Sequence, residues 1–179
     1  MNSRDKTYVA PTVIFKNQAH MSENIVIAKG TKEEQYKNIL PQIKALIEGE
    51  TDMIANMANV AAALKMQFNW WWVGFYLVKH NELVLAPFQG TIACTRIAKG
   101  RGVCGTAWLQ QKTMLVDDVN NFVGHIACSS QSKSEIVVPI FENGEVIAVL
   151  DADSEHLAYF DETDKRFLQE IATWFQQEK

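Results

Sequence analysis

Three thiols, Cys94, Cys104 and Cys128, are the side chains of this 179-residue chain with the most chemistry open to them. Nine residues separate the first two and twenty-three the last two, so no C-x-x-C occurs. Neither a zinc site nor a thioredoxin-type dithiol is supported by that spacing, and no metal is expected. Burial as a small apolar group is the ordinary state of a cysteine, and Cys94, following Ile92 and Ala93, is explained by it. Cys128 is different. It sits in Ala127-Cys128-Ser129-Ser130-Gln131-Ser132, a polar stretch where a thiol is accessible and oxidisable. His125, three residues earlier, has the chemistry to ligate a metal or assist a thiolate, although a loop histidine is more often simply solvated. Cys104 falls at the start of an expected helix, where the dipole would favour thiolate.

Carboxylates form the second group. Asp151 and Asp153 end an otherwise apolar run, and a period of two puts both on one strand face, Asp151 continuing that of Ile147 and Val149. Charge extending a buried face is costly without a partner or a task; the bland alternative is a capped strand end. Glu135 starts the neighbouring apolar run. An ideal two-residue hairpin would set Glu135 opposite Ala152, on the wrong face, so convergence of all three requires a bulge or a frayed end near Glu135. Trp70-Trp71-Trp72 alternates faces along a strand, so one or two rings reach core and another lines a pocket. Gly100-Arg101-Gly102-Val103-Cys104-Gly105 matches G-x-G-x-x-G by letter. It lacks a βαβ context, and Asp117 and Asp118 follow too early for a ribose contact. A tight turn feeding a helix N-terminus, suited to an anion such as a carboxylate, is the better reading.

The elements that position these groups follow from pattern. Thr31 to Glu34 is a capping box, and Tyr36, Ile39, Leu40, Ile43, Leu46 and Ile47 form a helical stripe that Pro41 should kink or break and Gly49 should end. A second helix from about Thr51 to Asn69 carries Ile54, Met57, Ala58, Ala61 and Leu64. Residues 70–78 and 83–88 read as strands around a His80-Asn81 turn, with further strands at 92–97 and 113–116 and a short helix at 102–111. Residues 117–134 read as a long loop. Asn143-Gly144 between the apolar runs 136–141 and 146–150 is a strong hairpin signal, and runs apolar on both faces need cover on both sides. A last helix begins near Asp161, with Phe167, Leu168, Ile171 and Trp174 at helical spacing and Phe175 beside them. The fold class is α+β: three layers, an antiparallel sheet with helices on both faces.

Composition bounds the rest. One domain of this length buries roughly 70% of its unfolded surface. With 47% hydrophobic and 21% charged residues the chain is globular. Net charge is −4, which disfavours nucleic acid and anionic membrane as partners. The apolar run Tyr8 to Phe15 is broken by Pro11 and Thr12 and is too short for a signal peptide or a span. An odd and small cysteine count argues against a disulfide scaffold and for a reducing, cytoplasmic setting. Residues 1–30 read as an N-terminal extension and 31–179 as the domain, with no repeat or low-complexity tract.

Taken together, Trp72-Val73-Gly74-Phe75-Tyr76, Gly100 to Gly105, His125-Ile126-Ala127-Cys128, Ser134 to Ile140 and Val149 to Ser154 resemble a GAF domain. More narrowly, they resemble the free methionine-(R)-sulfoxide reductases over about residues 31–178. The resemblance implies that a thiolate attacks the sulfoxide sulfur of free methionine sulfoxide. A second thiol then condenses with the resulting sulfenic acid, and thioredoxin reduces the disulfide. Position by position it implies Cys128 as nucleophile, Cys94 as resolving thiol and Cys104 as a third thiol of less settled role. It implies Glu135, Asp151 and Asp153 as the acidic substrate site and Trp72 as the wall around the ε-methyl. No cofactor is implied, and a homodimer is. Ala152 departs from the larger apolar residue expected there, a change of packing and not of chemistry. The rival class is a non-catalytic sensor of small molecules or redox state. Sensors usually adjoin an output domain, and this sequence ends about 25 residues after Asp153, which favours the enzyme.

Overall fold

The computed structural model describes residues 25–124 and 130–176. Helix α1, Lys32–Ile47, opens on the Thr31 capping box and is followed by Gly49 at positive φ. Pro41 does not break it. The ring lies on the solvent face, where the carbonyl freed at Lys37 is also exposed, so the cost expected of an internal proline is not compounded by burial. Helix α2, Met53–Phe68, is capped by Asp52 and stops at Asn69 in the left-handed region. Its buried stripe is Met57, Val60, Ala61, Ala63, Leu64 and Gln67, whereas Ile54 and Ala58, expected on that stripe, are exposed. Strand β1, Trp72–Lys79, turns through His80 and Asn81, both at positive φ, into β2, Glu82–Gln89. The third strand is shorter and later than its apolar run suggested: β3 is Arg96–Ala98. Helix α3, Gly102–Gln110, and strand β4, Met114–Val116, precede a loop that holds a short turn of 3-10 helix, Val119–Asn121. The Asn143-Gly144 hairpin joins β5, Ser134–Glu142, to β6, Glu145–Ser154, and helix α4 is Glu162–Thr173, capped by Asp161.

The six strands form one antiparallel sheet in the order β3-β2-β1-β6-β5-β4. Helices α1, α2 and α4 cover one face with a continuous apolar core from Tyr36 and Leu64 through Phe75 and Leu150 to Leu168. Helix α3 covers the other with a smaller cluster around Val103, Ala107, Trp108, Val137 and Val149. The architecture is the three-layer α+β arrangement expected. Ala152 lies fully buried on the α1/α2 side, where its size affects packing alone. A polar contact group ties the first helix to the last. Tyr36 donates from Oη to the buried Asp164 at 3.0 Å, and Lys32 bonds the same carboxylate and reaches Asp161 at 3.1 Å. Burial pushes the Asp164 carboxyl up while Lys32 pulls it down. Two glutamines act as surrogate strand partners for the segment before α1. Gln42 both accepts from Val26 N–H and donates to its carbonyl, and Gln67 does the same for Ala28. No helix among the described residues is long and apolar enough to cross a membrane.

Candidate active site

The α3 face does not close into a uniform core. Toward the β6 C-terminus it opens into a cavity lined by Trp71, Trp72 and Tyr76 and by Cys104, Glu135, Asp151, Asp153 and Ser132. Registry brings the carboxylates together. Trp72 pairs with Asp153 and Gly74 with Asp151 across β1 and β6, while Glu135 pairs with Asp153 across β5 and β6. The required bulge exists, but at the far end of the hairpin and not near Glu135. Phe141 pairs with Val146 and Ile140 with Ala148, leaving Ile147 as the extra residue. Every later pair is shifted by one, so Glu135 moves from opposite Ala152 to opposite Asp153 and turns onto the cavity face. The same bulge corrects a second expectation. Ile147 packs toward the large core, and the face that Asp151 continues is that of Val146 and Val149.

These carboxylates have no cation beside them among the described residues. Glu135 is 7% and Asp151 5% exposed, and Oδ1 of Asp151 is buried without a hydrogen-bond partner among the described residues. No Lys, Arg or His lines the cavity among the described residues. Burial, then repulsion from Asp151, pushes the Glu135 carboxyl well up; burial, then Asp153, does the same to Asp151. Asp153 is half-buried and accepts a hydrogen bond from Ser132 Oγ, which offsets part of the burial and leaves it raised to about 6. Burial and mutual repulsion thus shift Glu135 and Asp151 toward the protonated form, while Asp153, raised to about 6, is mostly ionised at neutral pH.

Cys104 lies beside them, its Sγ 3.8 Å from Glu135 Oε1. The thiolate expected from its place at the start of α3 is not favoured. Burial and the neighbouring Asp151 and Glu135 charges push the thiol well up, outweighing the helix dipole. The Gly100–Gly105 segment is the tight turn anticipated. Gly100 N–H donates to Gly105 O at 2.8 Å, and a Cβ at Gly105 would stand 2.4 Å from Ala98 O, so glycine there lets α3 approach β3. Cys94 is disulfide-bonded, and Cys104 is free. Cys128 and His125 lie outside the described residues.

The aromatic wall is fixed in place. Trp72 donates from Nε1 to Thr91 O at 3.1 Å and stacks between Phe88 and Tyr76, with ring centroids 5.4 and 6.0 Å away. Gly74 makes room for that ring, since a Cβ there would meet Trp72 and Phe88 below 3 Å. The tryptophan run divides as expected in outcome but not in phase. Trp70 is core, stacked on Phe68, and both Trp71 and Trp72 line the cavity, because the strand starts only at Trp72. Tyr76 and Ser132 were not anticipated. Tyr76 was legible, two and four residues along the face from Gly74 and Trp72; Ser132, in a polar loop, carries no pattern that would single it out.

Fold and cavity together define a GAF-type domain, and residues 48–174 match the GAF domain family model. The chain belongs to that family. It is 65% identical to a GAF domain-containing protein A of Dictyostelium discoideum, over 84% of this chain and 96% of that one. It is 43% identical to the free methionine-R-sulfoxide reductase of Escherichia coli, over 78% of this chain and 86% of that one. Its fold matches the free methionine-R-sulfoxide reductase of Neisseria meningitidis in complex with its substrate, with a TM-score of 0.84 and 55% identity over 86% of this chain and 93% of that one.

Proposed function

We propose that this protein reduces free L-methionine-R-sulfoxide to methionine, with residues 31–179 as the catalytic domain and 1–30 as an extension. The observation that carries the reading is an acidic floor, with no cation among the described lining, facing a locked aromatic wall in one cavity. A free amino-acid sulfoxide supplies what each side lacks. Its ammonium pairs with ionised Asp153, its sulfoxide oxygen accepts a hydrogen bond from protonated Glu135 or Asp151, and its ε-methyl rests on Trp72. An amide-linked methionine sulfoxide has no ammonium to offer, which accounts for a preference for the free form. The identities to two free methionine-R-sulfoxide reductases support the same assignment.

Cys128 is the nucleophile in this reading. Its thiolate bonds to the sulfoxide sulfur while the acidic floor protonates the oxygen. The oxygen passes to the enzyme sulfur, the S–O bond of the substrate breaks, and methionine leaves: thiol plus sulfoxide gives sulfenic acid plus thioether. Cys94 then displaces hydroxide from the Cys128 sulfenic acid, which departs as water with the thiol proton, leaving a Cys94–Cys128 disulfide. A disulfide-bonded Cys94 beside a free Cys104 is consistent with that pairing. The dithiol of thioredoxin restores both thiols and is itself oxidised. Such a cycle suits the cytoplasm, where reduced thioredoxin is maintained. A homodimer is the assembly implied by the family, and light scattering reads it.

The test is NADPH oxidation coupled through thioredoxin reductase and thioredoxin to each epimer of free methionine sulfoxide. Turnover of the R epimer and essentially none of the S epimer is expected. Absence of turnover by the reduced protein would leave the sensor reading.

A further inference from the structure

We propose that Cys104, Glu135 and Asp151 form a chelating site for one thiophilic divalent cation, with Zn²⁺ the best fit. One sulfur and two carboxylate donors from α3, β5 and β6 lie within 4.8 Å of one another. All three are buried, and they line a cavity open to ligands of modest size. Tetrahedral coordination with Zn–S near 2.3 Å and Zn–O near 2.1 Å requires an S···O separation of about 3.6 Å. Cys104 Sγ and Glu135 Oε1 stand at 3.8 Å, so the first edge of the tetrahedron is in place without movement of the backbone. Independently, Asp151 Oδ1 is buried and has no hydrogen-bond partner among the described residues. Asp153, on the same cavity, or a water completes the fourth position.

The donor set selects the ion. A sulfur ligand disfavours Mg²⁺ and Ca²⁺, which take oxygen donors in larger coordination shells, and favours Zn²⁺, Co²⁺ or Cd²⁺. The absence of basic residues among the described lining removes the competing charge. Binding forms a Zn–S bond and releases the Cys104 thiol proton together with any carboxyl proton, with no change of oxidation state. The metal would occupy the floor that the substrate ammonium and sulfoxide need, so the two exclude one another. That exclusion rests on the function proposed above, whereas the binding itself does not.

Cobalt titration of the full chain carrying Cys94→Ser and Cys128→Ser leaves Cys104 as the sole thiol. One equivalent of Co²⁺ is expected to give a thiolate-to-cobalt charge-transfer band that one equivalent of Zn²⁺ abolishes and a hundredfold excess of Mg²⁺ does not. Adding Glu135→Gln or Asp151→Asn, each checked for native circular dichroism, should weaken Co²⁺ at least tenfold. No band, or affinities unchanged in both of the added variants, overturns the site. Free methionine sulfoxide should raise the apparent Co²⁺ dissociation constant. A band that responds to the carboxylate variants but not to the sulfoxide keeps the metal site and counts against the substrate assignment instead.

Discussion

The two faces of the sheet do different work. Under α1, α2 and α4, Tyr36, Phe75, Leu150 and Leu168 are fully or nearly fully buried in one apolar core, and the buried charge there, Asp164, is matched by Lys32 and Tyr36. Under α3 the apolar cluster is smaller, and Glu135 and Asp151 are buried without a cation among the described residues. On the first face the buried charge is satisfied by the protein, even though Trp70 Nε1 and Asn56 Oδ1 lack a partner among the described residues, and on the second the carboxylates are left for a ligand. Strand β6 makes the contrast within a few residues: Leu150 and Ala152 point into the first face, Asp151 into the second. The difference teaches where stability and function are separable.

The comparison is broken or sharpened by substitutions on either side. The largest effect expected is on chemistry: Cys128→Ser should lose at least about a thousandfold in steady-state turnover, as removal of a nucleophile does. Thermal unfolding of the same variant should barely move, and normal turnover would refute the assignment. Leu150→Ala, on the satisfied face, should destabilise the fold by about 2–5 kcal/mol, read by urea denaturation. Its KM for free methionine sulfoxide should stay within about threefold of the parent, unless the two faces are coupled. Asp151→Asn reverses the pattern. Turnover should fall by about tenfold or more as one acid of the floor is lost, while stability at neutral pH is kept or improved because a buried ionisable group is gone.

Asp153 gives a smaller, pH-dependent contrast. Its folded pKa, about 6, lies above the ordinary carboxyl value of 3.8, so the native state holds the proton more tightly than the unfolded chain. The favourable contribution is therefore complete below pH 3.8 and is lost as pH rises to about 6. Asp153→Asn, which can still accept from Ser132, should match the parent in stability near pH 4 and gain on it up to about pH 6, remaining ahead above that. A gain largest at low pH would show that the carboxylate is stabilised in the fold.

The satisfied face was legible in the sequence and the ligand-facing one only in part. Capping at Thr31, the start of the last helix near Asp161, the Asn143-Gly144 turn and the two-sided burial of β5 and β6 are local signals, and each sits where its pattern put it. The three carboxylates could be named, and the need for a bulge followed from counting residues. Its position at Ile147 did not, because a bulge is fixed by how both faces pack and not by the turn. The ionisation of Cys104 failed for a related reason: a helix start is visible in sequence, but burial against Glu135 and Asp151 is a tertiary fact. Pro41 was overread for want of knowing that its side of α1 is exposed.

The central claim is that the acidic floor of Glu135, Asp151 and Asp153 exists to hold a free amino-acid sulfoxide. The most direct measurement compares free L-methionine-R-sulfoxide with its N-acetyl derivative in the thioredoxin-coupled NADPH assay. The account predicts turnover of the free amino acid and a kcat/KM lower by at least about a hundredfold for the acetylated form, as loss of a buried charge partner costs several kcal/mol. Equal rates on the two would show that Asp153, Glu135 and Asp151 do not read the ammonium and would contradict it.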